Sequence, residues 1–394
     1  MDKRVYFLMI VSFVIGMVEL IISGILDLIA NDLQITLGQA GLLITIFSLI
    51  FAVASPVLLI LTAKIERKRL TLSSLFIFLI GNIVTVFAST YSIVLTGRVI
   101  SATSGALLII LCLVMAPSLV EAKYRGRAIG IISMGVSASL VLGVPIGLFL
   151  GNLYGWRAPF VLITILTILS MVGVYFLMDK VEPKPAVPLR TQLATLKSQK
   201  VTLAHATTFL YMTGHTVLYA YLKPYIQATT GMEGTWISVI YFLFGIAAVF
   251  GGGIGGTMAD LLGSKRTIFI AIIGLAAILI AIPFTTGSLV VFLIGLMVWG
   301  MLSWLISPAM QSYLIETSPE TSETQQSLSN SSLHLGVAFG AFAGGVVIEQ
   351  TSISQNPTIG GIFIFLSLIT AGLSIRKRAE TQELPMQIEK QFEG

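Results

Sequence analysis

Glu19 is the residue in this chain best placed to do chemistry. It stands deep in the first apolar run, between Arg4 and Asp27. At about 1.5 Å of helical rise per residue it lies roughly 20 Å from the end bearing the N-terminus. An ionisable side chain at that depth in a bilayer is costly unless it faces a cavity or has a partner. Arg98, about six residues into the fourth apolar run and at matching depth, is the expected partner. A carboxylate in a low-dielectric cavity binds protons more tightly, and a nearby cation opposes this. Such a pair can exchange a proton against a bound substrate; the alternatives are a substrate contact without coupling, or a static ion pair. His215, near the same level in the seventh run, reads as a substrate-contacting group or a packing residue. Tyr219, Tyr241, Trp299 and Trp304 could stack on a flat ring, or simply pack. His205 and His334 are assigned no role.

Composition fixes the setting. Hydrophobic residues make up 56% of the chain and charged residues 10%, against about 25% charged in a soluble domain. The three His and the single Cys112 supply no metal site, and no phosphate-binding glycine loop followed by Lys-Ser or Lys-Thr occurs. A polytopic membrane enzyme is therefore disfavoured, no cofactor is expected, and a channel would need a ring of like charges. The net charge of +5 does not point to nucleic acid, because the basic residues are spread over short loops.

The elements that must carry these side chains are apolar stretches of about 20 residues, each long enough to span a bilayer. They fall at roughly 6–29, 40–62, 71–88, 92–118, 128–150 and 159–178, and again at roughly 202–226, 236–259, 267–284, 289–313, 327–350 and 358–375. The expectation is an all-α integral membrane protein of twelve helices in two pseudo-symmetric halves, 1–178 and 201–378. A linker at 179–200 carries Pro183, Pro185 and Pro188 and then a short surface helix, and the tail is 379–394. All of the 23 Lys and Arg except Arg98, Arg157 and Lys223 fall at one end, which places both termini in the cytoplasm of a cell-membrane protein. Asp27 and Lys223 sit at outer ends of their spans, with a helix break expected at Pro224.

The halves repeat at an offset of half the chain's 394 residues. Ser139, Gly143 and Gly147, with Pro145 among them, match Gly336, Gly340 and Gly344. Residues four apart share a helix face, and a face of glycines admits a neighbour closely. Spans five and eleven are expected to meet there across the seam between halves and to move in gating, although ordinary packing would use the same pattern. Asp260, near Lys265 and Arg266, is expected to latch the inner gate by accepting hydrogen bonds from a neighbouring helix N-terminus. Its counterpart is Ala63. A duplicated apolar chain of this kind is the mark of a secondary transporter.

Gly256-Thr257-Met258-Ala259-Asp260-Leu261-Leu262-Gly263-Ser264-Lys265-Arg266 resembles the loop signature of the major facilitator superfamily. Arg98 resembles that family's span-four arginine, and Gly143-Val144-Pro145-Ile146-Gly147 its span-five antiporter signature. Gly16-Met17-Val18-Glu19-Leu20, Leu61-Thr62-Ala63-Lys64 and Gly155-Trp156-Arg157 resemble the drug/metabolite:proton antiporters related to arabinose efflux proteins. Stretches around Gly214-His215-Thr216, Trp299-Gly300-Met301 and Gln311-Ser312-Tyr313 are similar to bacterial purine base/nucleoside efflux pumps. The resemblance implies proton-coupled export of a small planar metabolite, purine bases or nucleosides first, by a monomer in the lipid bilayer. A multidrug or sugar exporter of the same fold is the alternative.

Overall fold

The computed structural model describes residues 2–121, 124–182 and 189–377. The Pro-rich part of the linker and the tail lie outside the described residues. Eleven of the described helices are long and apolar enough to cross a membrane. They are spans one to six (Lys3–Leu33, Leu37–Leu61, Arg67–Val86, Tyr91–Leu119, Arg125–Tyr154, Ala158–Leu177) and spans eight to twelve (Thr235–Leu262, Ser264–Thr285, Leu289–Thr317, Thr324–Gln350, Ile353–Arg376). Span seven is a broken pair, Gln199–Tyr219 and Leu222–Thr230. It is less apolar than the others because it carries His205, His215, Lys223 and a run of threonines. The break at Ala220–Tyr221 follows from Pro224, which has no N–H for the Ala220 carbonyl four residues back.

Helices dominate because a spanning segment must satisfy its backbone polar groups internally. Polar side chains in the spans follow the same rule: Thr71, Thr85, Thr167 and Thr207 each donate to the carbonyl four residues earlier. Local sequence sets the ends. Thr36 and Gln39 form a reciprocal capping box at span two, and Pro159 and Pro357 sit in the first turns of spans six and twelve, where a missing N–H costs nothing.

Arg4 pairs with Asp179 after span six, and Ser374 of span twelve donates to the Lys200 carbonyl at the start of span seven. The N-terminus, the linker and the end of span twelve therefore share one end of the bundle, the terminal end. The two halves pack alike. Span one lies on span five and span four on spans two and three; span seven lies on span eleven and span ten on spans eight and nine. Contacts between halves run from span two to span eleven and from span eight to span five.

The glycine ridges lie elsewhere than the sequence led us to expect. They do not face each other across the seam. A Cβ on Gly143 would sit 3.2 Å from Met17, and one on Gly151 2.9 Å from Ile25, both on span one. Cβ atoms on Gly336, Gly340 and Gly344 would lie 2.5, 2.5 and 2.6 Å from the carbonyls of Phe209, Thr213 and Val217 on span seven. Each ridge thus fixes a pair inside its own half. The seam between spans five and eight is made at Gly245, where a Cβ would be 2.7 Å from the Val141 backbone. Span five carries a π-helical turn at Ser139–Gly143 just before Pro145, a wide turn of the kind that relieves a proline inside a helix.

Candidate functional site

A cavity of about 240 Å³ lies between the halves. Span one contributes Glu19, Leu20 and Ser23, span two Ile44 and Ser48, and span five Val136, Ser137 and Leu140. The other half contributes Tyr211, His215, Thr216 and Tyr219 from span seven, Ser303, Trp304 and Ser307 from span ten, and Asn330, Leu333 and His334 from span eleven. Among the described residues no Lys or Arg lines it.

Glu19 reaches this cavity, but its close partner is His334. Its Oε1 lies 3.4 Å from His334 Nδ1, a contact between span one and span eleven. Phe51 of span two packs on the His334 ring at 4.4 Å between centroids. The expected Glu19–Arg98 ion pair is not formed. Arg98 is fully buried, donates to the Val18 carbonyl at 2.7 Å, and lies over the Phe47 ring at 3.9 Å. Its Nη1 is held by the backbone beside Glu19 and the guanidinium plane lies on an aromatic face, while Nε and Nη2 are buried without a hydrogen-bond partner among the described residues.

His215 is held in a fixed orientation. Its Nδ1 lies 2.9 Å from Ser303 Oγ, and that hydroxyl already donates to the Trp299 carbonyl at 2.7 Å. A hydroxyl has one proton to give, so Ser303 accepts from His215, which leaves Nε2 as an acceptor. Tyr219, Trp299 and Trp304 surround the imidazole, with ring centroids 5.2, 5.2 and 5.4 Å away. Of the five residues expected to contact substrate, His215, Tyr219 and Trp304 line the cavity. Trp299 and Tyr241 stand behind it, both buried; Tyr241 Oη donates to the Ser23 carbonyl across the seam at 3.2 Å.

The far end of the seam is tied. Lys223 Nζ lies 2.8 Å from Asp27 Oδ1, with both side chains largely buried, and Asn152 accepts from Lys223 at 3.3 Å. Thr36 donates to Glu349 at 2.7 Å, from span two's cap to the end of span eleven. Pro224, by breaking span seven, turns Lys223 into the seam instead of along a continuous helix face.

At the terminal end Asp260 makes no hydrogen bond or ion pair among the described residues, and both it and Arg266 are exposed. Span eight continues helical to Leu262, which leaves Asp260 on its outer surface in the last turn. The carboxylates that fasten these loops are Glu66 and Glu316. Glu66 accepts from Lys68 N at 2.7 Å, Arg69 N at 2.8 Å and Val181 N at 2.9 Å, capping span three and holding the chain that leaves span six. Burial works to raise the Glu66 pKa, but the N–H groups of Val181, Arg69 and Lys68 outweigh it and hold the carboxyl below its ordinary 4.5. Ser264 donates to Glu316 at 2.8 Å in the other half. Gly340 and Gly147 are packing positions on the ridges described above, Gly143 ends the π-helical turn, and Pro145 follows it.

Residues 8–341 match the family model of the Major Facilitator Superfamily, as does an overlapping stretch at 204–390. The chain belongs to this superfamily. It is 34% identical to the uncharacterized MFS-type transporter YbcL of Bacillus subtilis, over 93% of this chain and 94% of that one. It is 28% identical to the inner membrane transport protein YdhP of Escherichia coli K12, over 94% and 95%. The fold resembles a bacterial homologue of the human lysosomal transporter Spinster, with a TM-score of 0.77 at 17% identity, covering 95% of this chain and 97% of that one. This chain is accordingly a multi-pass membrane protein and a secondary transporter, not an enzyme.

His334 was missed in the sequence, where a lone histidine closer to the terminal end has no visible partner. Its one signal was position: Asn330 and His334, four residues apart, put two polar side chains on one face of span eleven.

Proposed function

We propose that this chain exports a small, flat, uncharged metabolite of the purine base or nucleoside class across the cell membrane, in exchange for protons coupled through Glu19. The observation that carries the proposal is the cavity itself: one carboxylate, Glu19, faces an aromatic wall of His215, Tyr219 and Trp304 supplied by the other half. His215 Nε2 and Glu19 offer acceptors to ring N–H groups, and the aromatic faces suit a planar ring. The lack of Lys or Arg on the wall disfavours phosphorylated ligands. At about 240 Å³ the cavity lies below the ~300–1,000 Å³ of sites for drug-sized molecules, which favours a small metabolite over a multidrug range.

The terminal end is the cytoplasmic one in this reading, supported by the gathering of Lys and Arg there. The contacts of Asp27 with Lys223, Ser23 with Tyr241, and Thr36 with Glu349 then close the outer side, so the cavity serves the cytoplasm in this conformation. The related structure is titled inward-facing. Substrate enters from the cytoplasm, the halves rock about the contact of spans five and eight, and protons reach the Glu19 site from outside.

Counterflow in proteoliposomes tests the proposal. Labelled hypoxanthine or adenosine is exchanged with and without an imposed pH gradient, and wild type is compared with Glu19→Gln. We expect purine exchange in both proteins and gradient-driven accumulation in wild type alone. Absence of purine exchange defeats the substrate class; retained pH-driven accumulation in Glu19→Gln defeats the coupling.

A further inference from the structure

We propose that His334 is the second half's member of a substrate-displaced proton pair: its imidazole holds Glu19 across the seam while the cavity is empty, and an N–H group of the substrate takes its place. The proposal rests on the reading of Glu19 as the proton-coupling carboxylate.

The geometry has three parts. The contact of 3.4 Å is within ion-pair range but longer than a hydrogen bond, and His334 Nδ1 has no other partner. Both groups line the cavity, so a ligand can reach the gap from the same side. The imidazole is also braced for this position, by the Phe51 ring at 4.4 Å and by Ser331, about one turn before His334 on span eleven, which donates to the Ala52 carbonyl at 3.0 Å. The brace comes from the half that carries Glu19, so His334 is gripped across the seam.

The other groups facing the pair do not supply an alternative partner. Arg98 is turned to the Val18 carbonyl and Phe47 and makes no ion pair with Glu19, although its Nε and Nη2 have no hydrogen-bond partner among the described residues. His215 is tied to Ser303. His205, lower on span seven, bonds to Gln325 at 2.9 Å. Asp27 is paired with Lys223 at the far end of span one. Tyr211 and Tyr219 share the cavity as neutral phenols.

The exchange balances as follows. In the empty cavity, below the pH at which the pair loses its proton, it holds one proton, as imidazolium with carboxylate. The substrate donates a ring N–H hydrogen bond to the Glu19 carboxylate without losing that proton. His334, released from the carboxylate, gives its Nδ1 proton to water at the open end. One substrate is bound and one proton released. The reverse occurs on the other side of the membrane, where a proton returns to the pair as the substrate leaves. The cost of parting the pair is spread over both halves, so occupancy of the cavity acts directly on the seam.

The test uses the full chain, purified, with hypoxanthine and adenosine as probes and His334→Gln and Glu19→Gln as variants. Glutamine keeps the polar contact and removes the titration. With an indicator dye in weak buffer, wild type should release about one proton per purine bound, and His334→Gln should bind and release almost none. Across the pH range in which the pair is protonated, the wild-type Kd should change about tenfold per pH unit, and that of His334→Gln should stay nearly flat. Undiminished proton release by His334→Gln overturns the proposal. A ligand-free measurement stands beside these: in histidine-labelled protein, the His334 ring signal should titrate over a different pH interval in Glu19→Gln than in wild type. Identical titration overturns the proposal even if purines are transported. Failure of both purines to bind, with the His334 signal still responding to Glu19→Gln, removes the substrate class and supports the pair.

Discussion

Lys223→Met should unlock the far end of the transporter. The Asp27–Lys223 pair spans the seam at 2.8 Å, with side-chain exposures of 14% and 3%. Methionine keeps the length and apolar stem of the lysine but leaves Asp27 charged and poorly hydrated. Removing one partner of a buried ion pair costs about 3–5 kcal/mol. Because Asp27 retains some water contact, the lower end applies, about 3 kcal/mol. The penalty falls on the closed arrangement alone, since opening hydrates the carboxylate. At about 1.4 kcal/mol per factor of ten, the closed-to-open ratio should fall roughly 150-fold. The assay needs one reporter thiol. Cys112, the only cysteine in the sequence, is buried and is replaced by Ala, and Ser48→Cys places a thiol on the cavity wall. An impermeant maleimide added from the side opposite the termini should label this cysteine faster in Lys223→Met, up to the point where the open state predominates. Adding Asp27→Asn removes the stranded charge and should restore most of the closed population, because loss of both members of a buried pair is far cheaper than loss of one. Unchanged labelling in the single variant, or equal labelling in the single and the double, would refute the reasoning.

Other outcomes follow from the same geometry. Gly340→Val would drive a side chain into the Thr213 carbonyl, 2.5 Å from the Cβ position, and should lower stability by about 1–3 kcal/mol or more, read as earlier thermal unfolding in detergent; Gly256→Val, with open space around it, should not. Glu66→Gln should cost about 1 kcal/mol through the weakened cap of span three. The folded carboxyl titrates below its ordinary value of 4.5, so this contribution is complete above about that pH and is lost as pH falls through the lower folded value. Wild type and variant should therefore converge in denaturant titrations at acid pH, and a gap that widens there would contradict the assignment. Gly130 lies two turns from the cavity-lining Ser137 on one face of span five, and Gly256 lies three turns from Gly245 on the same face of span eight; both have open space around them. If the halves rock about Gly245 and Val141, cysteines at 130 and 256 should cross-link faster in Lys223→Met, which favours closure of the terminal end. Equal rates would count against rocking about that point.

Much of this protein is written in its sequence. Apolar length, Pro159 and Pro357 at helix starts, Pro224 in span seven and the repeat across the halves follow from local chemistry, because a chain in lipid has few ways to satisfy its backbone. The depth of Glu19 is equally legible, since helical rise converts residue number into height. Rotation about the helix axis is not. Which neighbour a side chain meets depends on how all twelve spans pack, and small differences in rotation change the partner. Arg98 has the right depth for Glu19 but turns to the Val18 carbonyl and Phe47, whereas His334, more than 300 residues away in sequence, meets the carboxylate. The glycine ridges repeat faithfully, yet only packing decides that they seat spans one and seven rather than each other. Asp260 carries the family's loop signature and bonds to none of the described residues in this conformation, while Glu66, unremarked in the sequence, fastens three backbone groups. Sequence determined the helices, their order and the height of each charge; the tertiary structure decided every pairing across them, because a contact requires two helices to agree in rotation as well as in depth.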